Sequence, residues 1–517
     1  MSRGKGVKKY SAKFCPLVVD VPGPTLDDAT RRHLAHYGFA GVCLFRKNVQ
    51  HRRQLAELVE QIREVLGPEA LIAIDQEGGA VLRTTDLPEA PSAMALGAAD
   101  DPALAEAVGA AVGRGLISLG INWDYAPVLD VNTDPRNPVI GDRSFGSDPA
   151  KVAELGLSWA RGLEGAGVMA CVKHFPGHGD TYLDSHLALP VVRKPREQLE
   201  AVEFYPFRRA VEAGISSIMT AHILYPALDP EYPATLSQAI LTGLLREEWG
   251  YDGLVVTDSM DMQAITQFSA DRFNAGAAAL HAFGAGADLV LALGSRETQQ
   301  AQAEALRQAQ EEGTIPAERW EESQRRLEEA IARFPGTPRP YSPTLEAGDL
   351  AIFTAAARRS ITRYGEVQLP RPGDRILFVA PDVAVGESAY ENGPAAQDLA
   401  RRLAERFPGL KTLAYPRSEP EAIRESLQAA LQEADFILYV TTSRQPLRPG
   451  EVELGHLLFA SGRPALHVAL WNPYHAMNLG QPALITYGWR QPTLEALLEA
   501  LSGASTPGKL PVEFIPR

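Results

Sequence analysis

Residues Leu254–Ile265 read LVVTDSMDMQAI, and the way that stretch is built decides the fold. A short apolar, β-branched run stops at an acid, Asp258, and a helix-like segment follows. Continuous apolar runs suit strands of a parallel sheet buried on both faces, whereas half-exposed strands alternate. Seven more runs of this kind occur: Leu17–Val19, Gly41–Phe45, Leu71–Ile74, Ile121–Ala126, Val168–Val172, Ser217–Thr220 and Leu289–Leu293. Helix-like stretches such as Arg52–Leu66, Ala103–Leu119, Ala150–Glu164 and Gln198–Ala213 lie between them. Alternation of this length predicts an α/β chain whose residues 1–334 form a (β/α)8 TIM-type barrel.

The barrel reading ends at a seam. Arg333–Asp349, RFPGTPRPYSPTLEAGD, carries Pro335, Pro338, Pro340 and Pro343. Proline resists helix and supplies no backbone donor, so 335–349 is predicted to be a Pro-rich linker. Alternation then resumes, with strands expected at Arg375–Ala380, Phe436–Thr441, Ala465–Leu470 and Ala483–Tyr487. Helices are expected at Ala395–Phe407, Glu419–Ala434 and Thr493–Leu501. Residues 350–517 are therefore expected to form a smaller α/β sandwich domain.

Composition narrows the function classes. The chain has 517 residues and is 45 % hydrophobic, which excludes wholesale disorder. It carries 50 Lys and Arg against 64 Asp and Glu, a formal charge of −14. An acidic chain without a basic run lacks the footprint of a nucleic-acid or anionic-membrane binder. Cys15, Cys43 and Cys171 make neither a disulfide framework nor a C-x-x-C zinc pair. The run Phe14–Val19 is too short for a signal h-region, and no segment approaches a membrane span in length. The expectation is a soluble cytoplasmic protein. Neither G-x-G-x-x-G nor a P-loop lysine motif is present, so nucleotide binding gains no support.

Run after run stops at a polar residue: Asp20, Arg46, Asp75, Lys173–His174, His222 and Asp258. The active site of such a barrel lies at the C-terminal ends of its strands, so these side chains should converge. The densest chemistry is ACVKHFPGHGDTYLDSHLALP, Ala170–Pro190, with His174, His178 and His186 among Asp180 and Asp184. A metal site is one reading, but Pro176, Gly177 and Gly179 spoil a helical H-x-x-x-H. A purely structural loop is another. The stronger reading is proton transfer, because Asp184 can orient the imidazole of His186 two residues on. Asp258, on a rigid strand end, suits a nucleophile. Asp261 reads as a first-turn acid favoured by the helix dipole. In IAIDQEGGAVLR, Ile72–Arg83, Asp75, Glu77 and Arg83 surround two glycines and suit a polyol. PRNPVIGDRSF, Pro135–Phe145, adds Arg136 and Arg143. Together these are parts for cleaving a sugar: a nucleophilic carboxylate, an acid and a polar collar.

The strings K-H-F-P-G-H-G-D-T…D-S-H, D-Q-E-G-G and T-D-S-M-D-M closely resemble glycoside hydrolase family 3, in its β-N-acetylglucosaminidase branch. LWNPY (Leu470–Tyr474) and PGKLPVEF (Pro507–Phe514) resemble that family's second domain. The resemblance implies that Asp258 is the nucleophile and that His186 is the acid/base, paired with Asp184. It implies that Asp75, Arg83, Arg143, Lys173 and His174 hold the non-reducing GlcNAc, while His178 and Asp180 shape the loop. Ala80 departs from the family, where arginine is common. The implied activity is retaining, exo-acting hydrolysis of terminal β-linked GlcNAc from muropeptides or chitin fragments. No metal and no organic cofactor is implied, and the partner is a carbohydrate substrate. The oligomeric state is left open.

Other readings compete with this one. A family 3 β-glucosidase or β-xylosidase takes its acid from elsewhere, and the D-S-H triplet argues against it. A phosphorylase is a variant, because a histidine acid leaves no negative charge to repel phosphate. A catalytically inactive sugar-binding protein would be expected to lack the nucleophile. A metal hydrolase predicts inhibition by chelators.

Overall fold

The computed structural model describes residues 14–181, 184–185, 188–269, 274–383 and 393–513. Eight strands form one parallel sheet: β1 Cys15–Asp20, β2 Phe39–Leu44, β3 Leu71–Ile74, β4 Trp123–Asp124, β5 Met169–Phe175, β6 Ser217–Thr220, β7 Leu254–Val256 and β8 Val290–Ala292. Their order is β7-β6-β5-β4-β3-β2-β1-β8. A parallel bridge between Val256 and Leu289 joins the two end strands, so the sheet closes into the expected barrel. Val18, Cys43, Ala73, Trp123, Met169, Cys171, Val256 and Leu291 belong to one buried cluster with the ends of other strands. That explains the continuous apolar runs: in a closed barrel wrapped by helices, both faces of each strand are dry. Some polar atoms inside pair with one another. The Trp123 indole N–H donates to Ser217 Oγ at 2.9 Å, and Ser217 Oγ donates to the Ala170 carbonyl at 2.7 Å.

The strand boundaries follow the apolar runs closely, and Leu71–Ile74 and Ser217–Thr220 coincide with them. Two helices differ: Gln198–Ala213 divides into Arg196–Ala201 and Phe204–Glu212, and Glu419–Ala434 begins as a 3-10 turn, Pro420–Ile423, before the helix Arg424–Glu433. Of the stretch 335–349, Ser342 caps and Pro343 opens the helix Pro343–Ser360. Proline fits there because the first helical residue needs no backbone donor.

The second sheet contains β9 Thr362–Tyr364, β10 Ile376–Pro381, β11 Lys411–Tyr415, β12 Phe436–Thr441, β13 Ala465–Ala469 and β14 Ala483–Ile485. Its order is β11-β10-β12-β13-β14-β9, parallel except for β9, which pairs antiparallel with β14. β9 and β11 escaped the sequence reading. β9 has only three residues, and β11 is an edge strand whose exposed Lys411 and Thr412 break the apolar signal. Helices cover both faces. Leu399, Leu403, Leu494 and Leu497 pack on one side of the sheet, and Leu427, Ala430, Leu454 and Leu458 on the other.

The chain forms two compact units that interleave along the sequence. The first holds the described residues up to Asp75, Gly113–Ala126 and Leu163–Pro340; the second holds Gln76–Val112, Pro127–Gly162 and the described residues from Tyr341 on. Two long connections, after β3 and after β4, therefore fold with the C-terminal residues. Ala80 and Val81 share a core with Phe378 and Leu438, and Met94, Ala95 and Ala98 share one with Tyr474 and Val512. Ala80 is 1 % exposed in that apolar cluster, a place where an arginine head group would lack water.

Candidate active site

In the first unit, the expected polar residues stand at the C-terminal ends of the barrel strands, but their uses differ. Asp20 is a structural acid. It pairs with Lys47 and accepts from Gln299 Nε2 at 2.9 Å and from the Gly294 N–H at 3.1 Å. Arg46 is spent locally, with Nη1 donating to the Val49 carbonyl at 2.8 Å. Asp75 and Lys173 are brought together across the barrel: Lys173 Nζ lies 2.8 Å from Asp75 Oδ1, and the Lys173 side chain is only 2 % exposed. A buried ammonium persists only when paired, so each partner fixes the other. A carboxylate accepts up to about four hydrogen bonds, so Asp75 can hold the Lys173 ammonium together with other donors.

His174 and His178 pack edge to face at 5.6 Å between ring centres. His178 is 1 % exposed, and both ring nitrogens are engaged inside the loop. Nδ1 meets Thr181 Oγ1 at 2.8 Å and Nε2 meets Ser185 Oγ at 2.9 Å. Thr181 Oγ1 donates its own proton to the His178 carbonyl at 3.1 Å. It therefore accepts from Nδ1–H, and Ser185 Oγ holds Nε2. His178 is a strut between residues 178 and 185. The strut ends beside Asp184, which is half-buried and whose carbonyl accepts from Ala188 N–H at 3.0 Å. The Ser185 carbonyl accepts from Ala264 N–H at 3.3 Å, tying this loop to the segment after Asp258. His186 lies outside the described residues.

Lys194 braces the same loop. Its Nζ reaches Asp180 at 3.1 Å and Glu203 at 2.6 Å. Burial pushes the Glu203 carboxyl up, and Lys194 pulls it down.

Asp258 lies two residues beyond β7 and is half-buried; its Oδ1 accepts from the Ser259 N–H at 2.7 Å. The backbone on either side is pinned. Thr257 Oγ1 accepts from Leu291 N–H at 2.9 Å, and Met260 N–H donates to the Leu291 carbonyl at 3.1 Å. His222 Nε2 donates to the Ser259 carbonyl at 2.8 Å, while its Nδ1 meets Thr235 Oγ1 at 2.8 Å. Tyr125 lies in the barrel core, 1 % exposed, and its phenol oxygen has no hydrogen-bond partner among the described residues. Burial holds this phenol well above its ordinary range. The Cys43 and Cys171 thiols and then the Asp75 and Asp258 carboxylates push the same way. Asp261 is exposed and precedes the helix Gln263–Ser269 instead of opening it.

Arg83 and Arg143 belong to the second unit. Arg143 is locked by a two-pronged pair with Glu77: Nε to Oε2 at 2.8 Å and Nη2 to Oε1 at 2.7 Å. Its Nη1 donates to the Val139 carbonyl at 3.1 Å. Arg83 is 6 % exposed, and its backbone N–H donates to Gln76 Oε1 at 2.9 Å. The turn between them requires its glycines. Gly78 has φ +100, and a Cβ there would meet the Pro91 carbonyl oxygen at 2.3 Å; Gly79 has φ +57 and abuts Ser92. Asp142 is buried beside Arg143. Burial pushes its carboxyl up to about 6, against the Trp471 indole N–H and the Arg444 and Arg143 guanidiniums, which favour the charged form. Arg136 pairs with Asp134 two residues away, at 2.7 Å.

Sequence reasoning missed the uses of His222, Glu77 and Tyr125. His222 carried a signal, since it closes an apolar run as Asp258 does. The partnership of Glu77 with Arg143 spans 66 positions and leaves no local trace. Among the described residues, no group of three or more His, Cys, Asp and Glu side chains could hold a metal ion. No described helix is long and apolar enough to cross a membrane.

Residues 14–330 match the model described as the glycosyl hydrolase family 3 N terminal domain. The chain is 38 % identical over 308 residues to beta-hexosaminidase A of Pseudoalteromonas piscicida, covering 55 % of this chain and 50 % of that protein. It thus spans half the length of that relative. It is 40 % identical over 254 residues to a beta-hexosaminidase of Chromobacterium violaceum, covering 48 % of this chain and 71 % of the other. Its structure superposes with a TM-score of 0.87 on a glycoside hydrolase family 3 beta-N-acetylglucosaminidase from Paenibacillus sp. str. FPU-7. That pair is 34 % identical and covers 96 % of this chain and 97 % of the other.

Proposed function

Because the chain belongs to glycosyl hydrolase family 3, we propose that it is a retaining exo-β-N-acetylglucosaminidase. It removes terminal, non-reducing β-linked GlcNAc from muropeptides or chitin fragments. The observation that carries the reading is Asp258: a half-buried carboxylate on a strand end, one oxygen held by a backbone N–H and its flanking peptides pinned by Thr257, Met260 and His222. A nucleophile must attack the anomeric carbon along one line, and a rigid platform keeps that geometry without reorganisation at the moment of reaction.

In the first step, Asp258 attacks the anomeric carbon while His186 protonates the glycosidic oxygen, giving a covalent glycosyl-aspartate. In the second, His186 takes a proton from water, and that water releases the sugar with retained configuration. Asp184 orients the imidazole and stabilises its charged form. The strut of His178, Thr181 and Ser185 supports this assignment, since it fixes the chain on both sides of Asp184. Asp75, with Lys173 behind it, and His174 bind sugar hydroxyls. No cofactor is required. Three cysteines, none of them in a disulfide, fit a reducing, cytoplasmic compartment.

The test is release of p-nitrophenol from matched β-GlcNAc and β-Glc substrates, by the wild-type protein and by Asp258→Asn, with and without EDTA and phosphate. The expected result is a strong preference for β-GlcNAc, lost in Asp258→Asn and indifferent to EDTA. Full activity in Asp258→Asn, or a preference for β-Glc, overturns the reading. A sugar 1-phosphate formed in phosphate identifies a phosphorylase.

A further inference from the structure

The second sheet has a feature that sugar hydrolysis does not use. Its parallel strands run in the order β11-β10-β12-β13-β14, so the chain leaves β10 toward one side for β11 and returns past it to β12. β10 and β12 are thus neighbours whose connections depart in opposite directions. The helix after β10, Ala396–Ala404, packs on one face, and the helix after β12, Pro449–Phe459, on the other. Diverging connections leave a crevice beyond the C-terminal ends of these strands, which is where open parallel sheets bind ligands.

Register places the three strand ends level. Pro381 pairs with Tyr415, and Val379 pairs with Tyr439, which sets Thr441 opposite Pro381. A crevice of about 380 Å³ opens just past those ends, a size that suits a small molecule. Its lining includes Arg417 and Ser418 after β11, Ser443 and Arg444 after β12, Arg448 at the cap of the following helix, and Asp382 after β10. Three arginines thus line the crevice with Asp382, while Glu451 engages Arg417 and Asp142 lies near Arg444.

The arginines are differently held. Arg417 is fixed by the buried Glu451, with Nε at 3.1 Å and Nη2 at 3.0 Å from its two oxygens. Arg444 is 9 % exposed and lies near the Asp142 carboxylate. Arg448 is exposed. A pre-oriented guanidinium, a largely buried one and an exposed one, with the hydroxyls of Ser418 and Ser443 in the same lining, suit the tetrahedral oxygens of a phosphate group. The neighbouring Thr442 hydroxyl, 1 % exposed, has no hydrogen-bond partner among the described residues.

We propose that this crevice, at the β10/β12 switch point of the second sheet, binds a phosphate group, held chiefly by Arg417, Arg444 and Arg448. The group can be inorganic phosphate or the phosphate of a small sugar ester; both present the same oxygens.

The experiment is calorimetric titration of the full chain with inorganic phosphate and with a hexose phosphate, at matched ionic strength. The variants are Arg448→Gln and Arg444→Gln. Saturable binding of one equivalent is expected, weakened about tenfold or more in each variant, because a guanidinium–phosphate contact is lost. Tighter binding of the hexose phosphate assigns the ester; equal or weaker binding assigns the free ion. Absence of saturable binding, or equal binding by the wild-type protein and the variants, overturns the proposal. Arg448 is exposed, so its variant should keep the wild-type melting temperature; if Arg444→Gln unfolds, Arg448→Gln decides alone.

Discussion

His222 Nε2 stands 2.8 Å from the carbonyl oxygen of Ser259, one residue beyond Asp258, so a side chain from the end of one barrel strand holds the backbone at the end of the next. Ser259 thereby has both backbone polar groups in use: its N–H donates to Asp258 and its carbonyl accepts from His222. This geometry makes His222 a positioning residue for Asp258, the proposed nucleophile. His222→Leu should lower kcat by about tenfold to a hundredfold, the usual cost of misplacing a reacting group, while KM changes little. His222→Gln keeps a donor and should recover part of the loss. A change confined to KM contradicts the assignment.

Lys173 and Asp75 should be coupled. Lys173→Met leaves Asp75 beside an apolar stem, and removing one partner of a buried pair costs about 3 kcal/mol or more. Asp75 is partly exposed, at 16 %, which keeps the cost near the lower end. The expected outcome is a lower melting temperature and a large fall in kcat/KM on aryl β-GlcNAc. Adding Asp75→Asn should restore stability in part and activity not at all. Restored activity in the double variant would remove Asp75 from substrate binding.

The His178 strut predicts non-additivity. His178→Ala and Ser185→Ala break the same support beside Asp184. Each should reduce kcat, and the double variant should be little worse than the worse single one. Melting temperatures and kcat for all four proteins check this; strictly multiplicative losses would refute it.

The second unit should lose stability in mild acid. His467 Nε2–H donates to Thr441 Oγ1 at 2.8 Å, Thr441 donates to His475 Nδ1 at 3.0 Å, and His475 Nε2–H donates to the Gln445 carbonyl at 2.8 Å. The chain requires His475 Nδ1 to be an unprotonated acceptor, and burial opposes a charge on either ring. Burial lowers His467 to about 3 and His475 to about 4. The unfolded chain therefore protonates first as pH falls. The stability is full above about 6.5 and declines toward pH 4, by about 1.4 kcal/mol per pH unit for each ring. Asp142, raised by burial to about 6, takes up its proton in the folded state first and offsets one ring over part of that range. Calorimetry between pH 7 and 5 should show a falling melting temperature, and a shallower fall in His467→Gln. Equal slopes would disprove the linkage.

Much of this protein was legible in its sequence because the information is local. A strand buried on both faces must be apolar throughout, so the eight runs, including Leu71–Ile74 and Ser217–Thr220, could be read directly. Strand ends in a barrel converge by topology, so Asp75, Lys173 and Asp258 could be nominated without coordinates. β9 and β11 could not, because a three-residue strand and an exposed edge carry little apolar pattern.

Tertiary structure alone decided what each polar residue does. Asp20 and Asp75 end similar strands, yet Asp20 pairs with Lys47 and Gln299 whereas Asp75 pairs with the buried Lys173 ammonium. It also decided that the connections after β3 and β4 fold with the C-terminal sheet, and that Arg143 is held by Glu77. Hydrophobic periodicity is a property of neighbours along the chain and survives in the sequence. Hydrogen-bond and ion-pair partners are chosen in space, over dozens to hundreds of residues, and no local pattern records that choice.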